Sequence, residues 1–337
     1  MKLKPHSPLP TQQRGFSLTE ILVGMTAGLL LTAGVIQVFV SSKQGYRIQE
    51  ALSRLQENGR FAMEFISQDA RNTGFLGCGG STSRFANRLN NSNQYAWNFS
   101  AAVEGFEATG AGTWTPTLDA TVTSALSNRD VLTLRHSLGN PTRVINHSAS
   151  SAPIQVNTVK GLSQFDIAMV SDCIDIAIFE ITNDPTVANT LEYSTGSGTP
   201  GNATDDLEKK YTDQANVAQI TTSTYYIRTN PEGIPSLYRK RGVDPSQELI
   251  EGVEDMQILY GEDTDGNQEA NSYVTADNVA NWNNVINLRI SLLLQTLENN
   301  LASSPQSYTF NGATTTPTDR RLRRVFTTTL NLRNRTL

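Results

Sequence analysis

The sequence predicts an α+β fold: one long N-terminal helix followed by a strand-rich globular domain with long loops. Three patterns carry that expectation. Residues 21–40 form a run of twenty without a charge. Ile48, Leu52, Leu55, Gly59, Ala62, Ile66 and Ala70 then recur at spacings of three and four, which places them on one face of a helix. After Asn72 the helical period fades, and short β-prone runs separated by Asn-, Ser-, Thr- and Gly-rich stretches take over.

The first element reads as a membrane span. Twenty helical residues rise about 30 Å, the thickness of a bilayer hydrocarbon core. Lys2, Lys4 and Arg14 lie within residues 1–15, where no acid occurs. The positive-inside rule then places residues 1–15 in the cytoplasm and everything after Val40 on the far side. No proline occurs between residues 11 and 115. A single helix from residue 16 to about 72, about 85 Å long, is therefore expected. Arg47, Glu50, Arg54, Glu57, Arg60 and Glu64 occupy its other faces, and Glu50 with Arg54 is a favourable i, i+4 pair. Gly24 and Gly28 form a GxxxG, which fits close helix packing and equally fits the ordinary glycine content of membrane helices.

Eight strands are legible: 130–136, 165–170, 174–181, 224–229, 236–240, 256–260, 285–294 and 325–332. Asn230, Pro231, Glu232 and Gly233 mark a turn between the fourth and fifth. Segments 79–128, 182–215 and 261–282 read as loops. The expected divisions are a leader at 1–15, a membrane helix at 16–40, its amphipathic continuation at 41–72 and a globular domain at 73–337.

Composition and motifs argue against catalysis and against nucleic acid. The formal charge is −5, and loss of Lys2, Lys4 and Arg14 would take it to −8, so no phosphate backbone is courted. There are three histidines. His6 lies in the leader, and His136 and His147 have no partners at zinc-ligand spacing. No phosphate-binding glycine loop and no GxSxG occurs, and nothing beside either cysteine marks a nucleophile. The chain is not expected to be an enzyme. Beyond the span, Cys78 and Cys173 would lie in an oxidising space, where two cysteines usually pair. Such a bridge would pin the end of the helix to the sheet, contributing up to about 4.7 kcal/mol in the chain-entropy model.

Glu20 stands at the mouth of the apolar run. A carboxylate at mid-bilayer costs about 2.5–3.5 kcal/mol, and less near the end of a span. In the first helical turn the helix dipole favours it. Arg14, Gly15, Phe16, Ser17, Leu18, Thr19 and Glu20, followed by the span, resemble the class III signal of type IV pilins and type II secretion pseudopilins. The resemblance implies cleavage by prepilin peptidase between Gly15 and Phe16 and N-methylation of the new Phe16 amine. It also implies that Glu20, fifth in the mature chain, faces the N-terminal amine of a neighbouring subunit, and that the fold is pilin-like.

Further segments resemble the PilW family of minor pilins: 41–52, 54–63, 74–78, 170–173 with Ile178 and Phe179, 251–266 and 320–329. That resemblance implies a minor pilin that helps prime type IV pilus assembly and sits at or near the pilus tip in a complex with other minor pilins. Its partners would be other minor pilins, the major pilin and a tip adhesin protein. Its location would be the inner membrane, with the globular domain in the periplasm, and later the pilus tip. A J-type pseudopilin of type II secretion and an adhesin subunit binding a surface directly are the alternatives.

Two polar features remain. Asp263, Asp265, Asn267, Glu269 and Asn271 alternate in a hydrophilic loop, and oxygens at every second position suit calcium. PilW-like chains often carry DxDGDG here, where this chain has Asn267 and Gln268. Val274 stands where an EF-hand would place its bidentate acid, so the pattern is incomplete and a solvated acidic turn is the other reading. Arg320, Arg321, Arg323 and Arg324 form a basic run, either a seat for a partner's acidic surface or a solvated strand entry.

Overall fold

The computed structural model describes residues 15–75, 77 and 83–335. The helix α1 (Leu18–Arg71) is 54 residues long, within two residues of the expectation at each end. Two compact units divide it: residues up to 51 form one, and Leu52–Leu337 the other.

In the first unit every described residue up to Lys43 is exposed. The helix is long and apolar enough to cross a membrane, and none of the apolar window is buried by protein. The two threonines of the apolar run at 21–40, Thr26 and Thr32, are compatible with lipid. Thr26 Oγ1 donates to the carbonyl of Val23 at 2.9 Å, and Thr32 Oγ1 to that of Gly28 at 2.8 Å. Hydroxyls that would be unsatisfied in hydrocarbon are thus returned to the backbone.

In the second unit the predicted apolar face is the buried one. Leu55, Gly59, Ala62, Ile66 and Ala70 are buried, while Arg54, Glu57, Arg60 and Glu64 stay exposed. The strands follow in chain order. β1 (Arg84–Asn87), β2 (Val103–Gly110) and β3 (Thr113–Thr115) precede β4 (Val131–Asn146), β5 (Ile154–Val156) and β6 (Ile167–Ser171). β7 (Asp175–Glu180), β8 (Thr190–Leu191) and β9 (Asn216–Thr229) lead to β10 (Pro235–Arg241) and β11 (Gln247–Glu251). β12 (Val253–Glu262), β13 (Ser272–Val274), β14 (Val285–Gln295), β15 (Tyr308–Phe310), β16 (Ala313–Thr315) and β17 (Arg323–Asn331) complete the chain.

Among the described residues the strands form a large sheet, a four-stranded sheet and a hairpin. The large sheet runs β1-β7-β6-β9-β4-β2-β3, with β10 and β11 added beside β9, and β5 and β8 beside β4. The β1–β7 pair is parallel and the rest are antiparallel. The four-stranded sheet is antiparallel in the order β13-β12-β14-β17. The turn at Asn230 forms as read: its Oδ1 accepts the N–H groups of Glu232 and Ile234 at 3.1 and 2.8 Å, joining β9 to β10. One core lies under α1. Leu55, Ala62, Ile66 and Ala70 meet Leu132 and Leu134 of β4, Tyr225 and Ile227 of β9, and alternate residues of β12 and β14.

The two sheets are stapled by Asp130. Its N–H donates to the Met256 carbonyl at 3.0 Å. Its Oδ2 accepts the N–H of Ile258 at 2.8 Å, and its Oδ1 that of Ala108 at 3.3 Å.

All eight predicted strands are present. The expected loop at 79–128 is corrected, because β1, β2 and β3 lie in it. The loop at 182–215 holds β8, and that at 261–282 holds β13. β5, β11, β15 and β16 had no sequence signal. The reason is physical. β2 carries Gly105, Glu104 and Glu107 and has no clean alternation; pairing with β4 makes it a strand. Strands of two to four residues are too short for a period of two to register, and the five residues of β11, Gln-Glu-Leu-Ile-Glu, do not alternate.

Candidate functional site

Gly15 and Phe16 precede the helix and are exposed, Phe16 to 83%. Ser17 stands at the N-cap position, with Glu20 three residues into the helix. The Ser17 N–H donates to Glu20 Oε2 at 3.0 Å, and the Ser17 hydroxyl pairs with that of Thr19 at 2.7 Å. The Ser17–Glu20 bond is one half of a capping box. The carboxylate predicted to serve assembly is therefore curled toward the start of its own helix, one residue from the proposed mature amine. The signal that could have found this cap is the S-x-x-E spacing in the sequence.

Cys78 lies outside the described residues. Cys173 has no free thiol. It sits exposed at the β6–β7 turn with φ +71°, its carbonyl accepting the Ser83 hydroxyl at 3.0 Å. Charged groups clamp that turn. Asp172 and Asp175 hold the Lys209 ammonium between them at 2.7 and 2.5 Å, and Asp175 also binds Arg84 at 2.5 Å. The Arg84 N–H donates to the Ile174 carbonyl at 3.0 Å. The segment that follows Cys78 is thus seated directly beside Cys173.

Asp263, Asp265, Asn267, Glu269 and Asn271 do share one loop. Its oxygens are turned onto the loop itself. Asp263 accepts the N–H groups of Gly266 and Gln268 at 2.7 and 2.9 Å. Asp265 Oδ2 accepts the amides of Asn267 and Asn271 at 3.1 and 3.2 Å. Glu269 donates its N–H to Asn267 Oδ1 at 2.7 Å. Among the described residues no three His, Cys, Asp or Glu converge as metal ligands. In this arrangement the Asp263 and Asp265 carboxylates are engaged by N–H and amide groups of the loop itself.

The basic run is divided between two half-buried arginines, Arg321 and Arg323, and two exposed ones, Arg320 and Arg324. Arg323 lies between Glu254 and Asp319, at 2.6 and 2.8 Å, and lowers the Asp319 carboxyl pKa to about 2. Arg321 donates to the carbonyls of Thr296, at 2.7 Å, and Leu297. Arg320 binds Asn300 Oδ1 at 3.0 Å, and Arg324 lies over the Phe326 ring. Arg320 and Arg324 are exposed.

A buried polar cluster ties the last turn of α1 to the large sheet, and no sequence motif announced it. Asp69 is 4% exposed. Its Oδ2 accepts the Tyr225 hydroxyl at 2.5 Å and lies 3.3 Å from His136 Nε2 and 3.8 Å from Arg239. Burial pushes the carboxyl pKa up. His136, Tyr225 and Arg239 together overcome that and leave it below the ordinary value. Ser223 Oγ is 2.9 Å from the same Nε2. Serine, histidine and aspartate do not form a nucleophilic triad here. Both partners share Nε2, whereas a relay needs the acid on Nδ1, and Nδ1 faces the Ser137 carbonyl at 3.1 Å. All three are buried, so no substrate reaches them. His147 is likewise structural. Its Nδ1 accepts the Tyr211 N–H at 3.0 Å, its Nε2 meets the Tyr193 hydroxyl at 2.9 Å, and burial lowers its pKa.

The family model described as Type IV Pilus-assembly protein W matches residues 224–334, a third of the chain. The matched third begins within β9, covering its last six residues, and takes in β10 and the whole four-stranded sheet. It includes 251–266 and 320–329, and it leaves out the resembling segments nearer the N-terminus. No curated protein and no solved structure matches the chain. Over that third the chain is similar to an assembly family of type IV pili, which supports a pilus-associated role.

Proposed function

We propose that this chain is a minor pilin that primes type IV pilus assembly and resides at the filament tip. The observation that carries the reading is the match over the four-stranded sheet, joined to an apolar N-terminal helix of membrane-spanning length. In this reading prepilin peptidase cuts between Gly15 and Phe16, and the Phe16 amine is methylated. Residues 16–40 anchor the chain in the inner membrane, and the strand-rich domain faces the periplasm. Clustering with other minor-pilin helices then lowers the cost of drawing the first major subunits out of the bilayer, where an unpaired intramembrane charge is expensive. Cys78 pairs with Cys173, a reading supported by the seating of residues 83 and 84 against the Cys173 turn.

Deletion of the gene tests the reading. Surface pili and twitching should fall while the major pilin still accumulates in the membrane, and blocking retraction should restore some filaments. Uniform immunogold label along the shaft, at major-pilin abundance, would overturn it. So would a membrane-form mass that begins at Met1. Non-reducing and reducing gels should differ in mobility, and a free Cys173 thiol in native protein would remove the bridge.

A further inference from the structure

We infer that the free edge of β17 is a strand-addition site for an extended, acidic segment of another polypeptide, which would join the four-stranded sheet as a fifth strand. The inference rests on the geometry of this edge and does not need the pilus reading.

Among the described residues β17 is paired with β14 on one side and with no strand on the other. The Leu332 N–H donates to the Ile286 carbonyl, and the Leu322 carbonyl accepts from Thr296 N–H, at 2.8 and 2.9 Å. Both contacts continue the β14–β17 register. In an antiparallel ladder backbone groups alternate between the two sides. The even-numbered residues of β17 therefore face β14. The N–H and C=O groups of Val325, Thr327 and Thr329 point outward, and no described strand pairs with them. All three residues are exposed.

Natural sheet edges are blunted by shortness, charged side chains, proline or a bulge. Of these β17 has only charge, confined to Arg323 and Arg324 at its N-terminal end. It is nine residues long and holds no proline and no lysine, and its register with β14 runs without a shift. Its centre, residues 325–329, is uncharged and β-prone. Among the described residues the other lateral edges are shorter: β1 has four residues, β3 and β13 three each, and β11 five. Main-chain hydrogen bonds to an edge of this kind supply affinity in strand-addition complexes.

Charge selects the occupant. Arg320 and Arg324 stand exposed at the N-terminal end of the edge, one on an asparagine and the other over a ring. Neither forms an ion pair with a carboxylate among the described residues. They form a basic end on a chain whose formal charge is −5. A second copy paired antiparallel would carry its own arginines to the opposite end of the edge and bring no strand acid to this one, since β17 holds none. An acid-flanked strand meets them with opposite charge.

The test uses the full-length protein in detergent micelles. The probe is a synthetic nine-residue peptide of alternating valine and threonine with aspartates at both ends, read by fluorescence anisotropy. We expect saturable binding, and at least tenfold weaker binding for the same peptide flanked by lysines. Thr327→Pro removes an outward N–H, keeps the backbone ladder to β14 and gives up the hydroxyl pair with Ser291 at 3.0 Å, which Thr327→Val also lacks; it should weaken binding at least tenfold. Thr327→Val should not weaken it. Amide exchange on the unaltered protein probes the same edge even where the proline variant misfolds. Added peptide should slow exchange at Val325, Thr327 and Thr329. Absence of binding, indifference to Thr327→Pro in a protein that melts normally, equal affinity for the lysine peptide, or unchanged exchange at those amides would each overturn the inference. A dimer of the chain itself that Thr327→Pro dissolves would overturn it too, by making a second copy the occupant.

Discussion

Gly59 of α1 lies against the ring of Phe326 on β17: a Cβ at the glycine would stand 2.5 and 2.6 Å from the two Cε atoms of the ring and closer still to its Cζ. A glycine in mid-helix is thus the groove into which the edge strand sets its one aromatic ring. Two effects oppose each other in Gly59→Ala. Helix propensity favours alanine by about 1 kcal/mol, while the ring is forced out of a site it already half fills. Overpacking typically costs about 1–3 kcal/mol, so we expect a net loss of about 1 kcal/mol for Gly59→Ala and about 2–3 kcal/mol for Gly59→Val. The sign should reverse when Phe326 is alanine, since the helix gain then stands alone. A double-mutant cycle by denaturant unfolding checks this, and additivity would show that the two residues do not share the site.

The Asp69 cluster should behave as a buried, paired charge. Removing one partner of such a pair costs about 3–5 kcal/mol, and Asp69→Ala is expected in that range. The pH dependence follows from the lowered carboxyl value. A group whose folded pKa lies below its unfolded one contributes stability above the unfolded value, 3.8 here, and loses it as pH falls through the folded value. The wild-type chain should therefore lose stability below about pH 4, and Asp69→Asn should lack that part of the slope. Melting curves between pH 2 and 6 decide the matter.

Asp130 predicts the opposite slope. It is 2% exposed. Burial, then the nearby Glu107 carboxyl, raises its pKa to about 8. The Tyr260 hydroxyl, held against Gly105, and Glu107 Oε2 have no hydrogen-bond partner among the described residues. Between pH 3.8 and about 8 the folded chain holds a proton that the unfolded chain has released. Stability must then fall as pH rises across that window. Asp130→Asn mimics the protonated acid. It should match wild type at pH 4 and melt higher at pH 8, by about 2–4 °C for each 1 kcal/mol recovered. A variant that melts lower at both values would mean that the acceptor pair on Ala108 and Ile258 outweighs the charge.

Glu20 offers a clean separation of two roles. Glutamine keeps an acceptor for the Ser17 N–H and drops the charge; alanine drops both. Loss of a cap costs about 0.5–2 kcal/mol of helix stability. If capping were the whole role, Glu20→Gln should support piliation as well as wild type and Glu20→Ala should not. The charge role proposed here expects both variants to insert and both to enter filaments poorly. Complementation of a deletion strain, scored by surface pili, distinguishes the two.

Much of the framework was legible without coordinates. The uncharged run, the three-four spacing from Ile48 to Ala70 and the S-x-x-E at Ser17 are local signals, since a helix repeats within four residues and caps within three. The eight predicted strands were equally local, because each carries enough β-prone residues in a row. What the tertiary structure decided is long-range. Gly105 breaks the pattern of β2, and only pairing with Val131–Leu134 makes it a strand. Asp69 sits on the helix's apolar face with no local mark of its purpose; Tyr225, His136 and Arg239 reach it from distant positions in the chain. Asp130 heads a predicted strand, yet its burial between two sheets depends on Ala108 and Ile258 approaching from either side. The open edge of β17 belongs to the same class: a sequence can show that a strand forms, but strand order, and with it the side left unpaired, is set by which distant segments pair with one another.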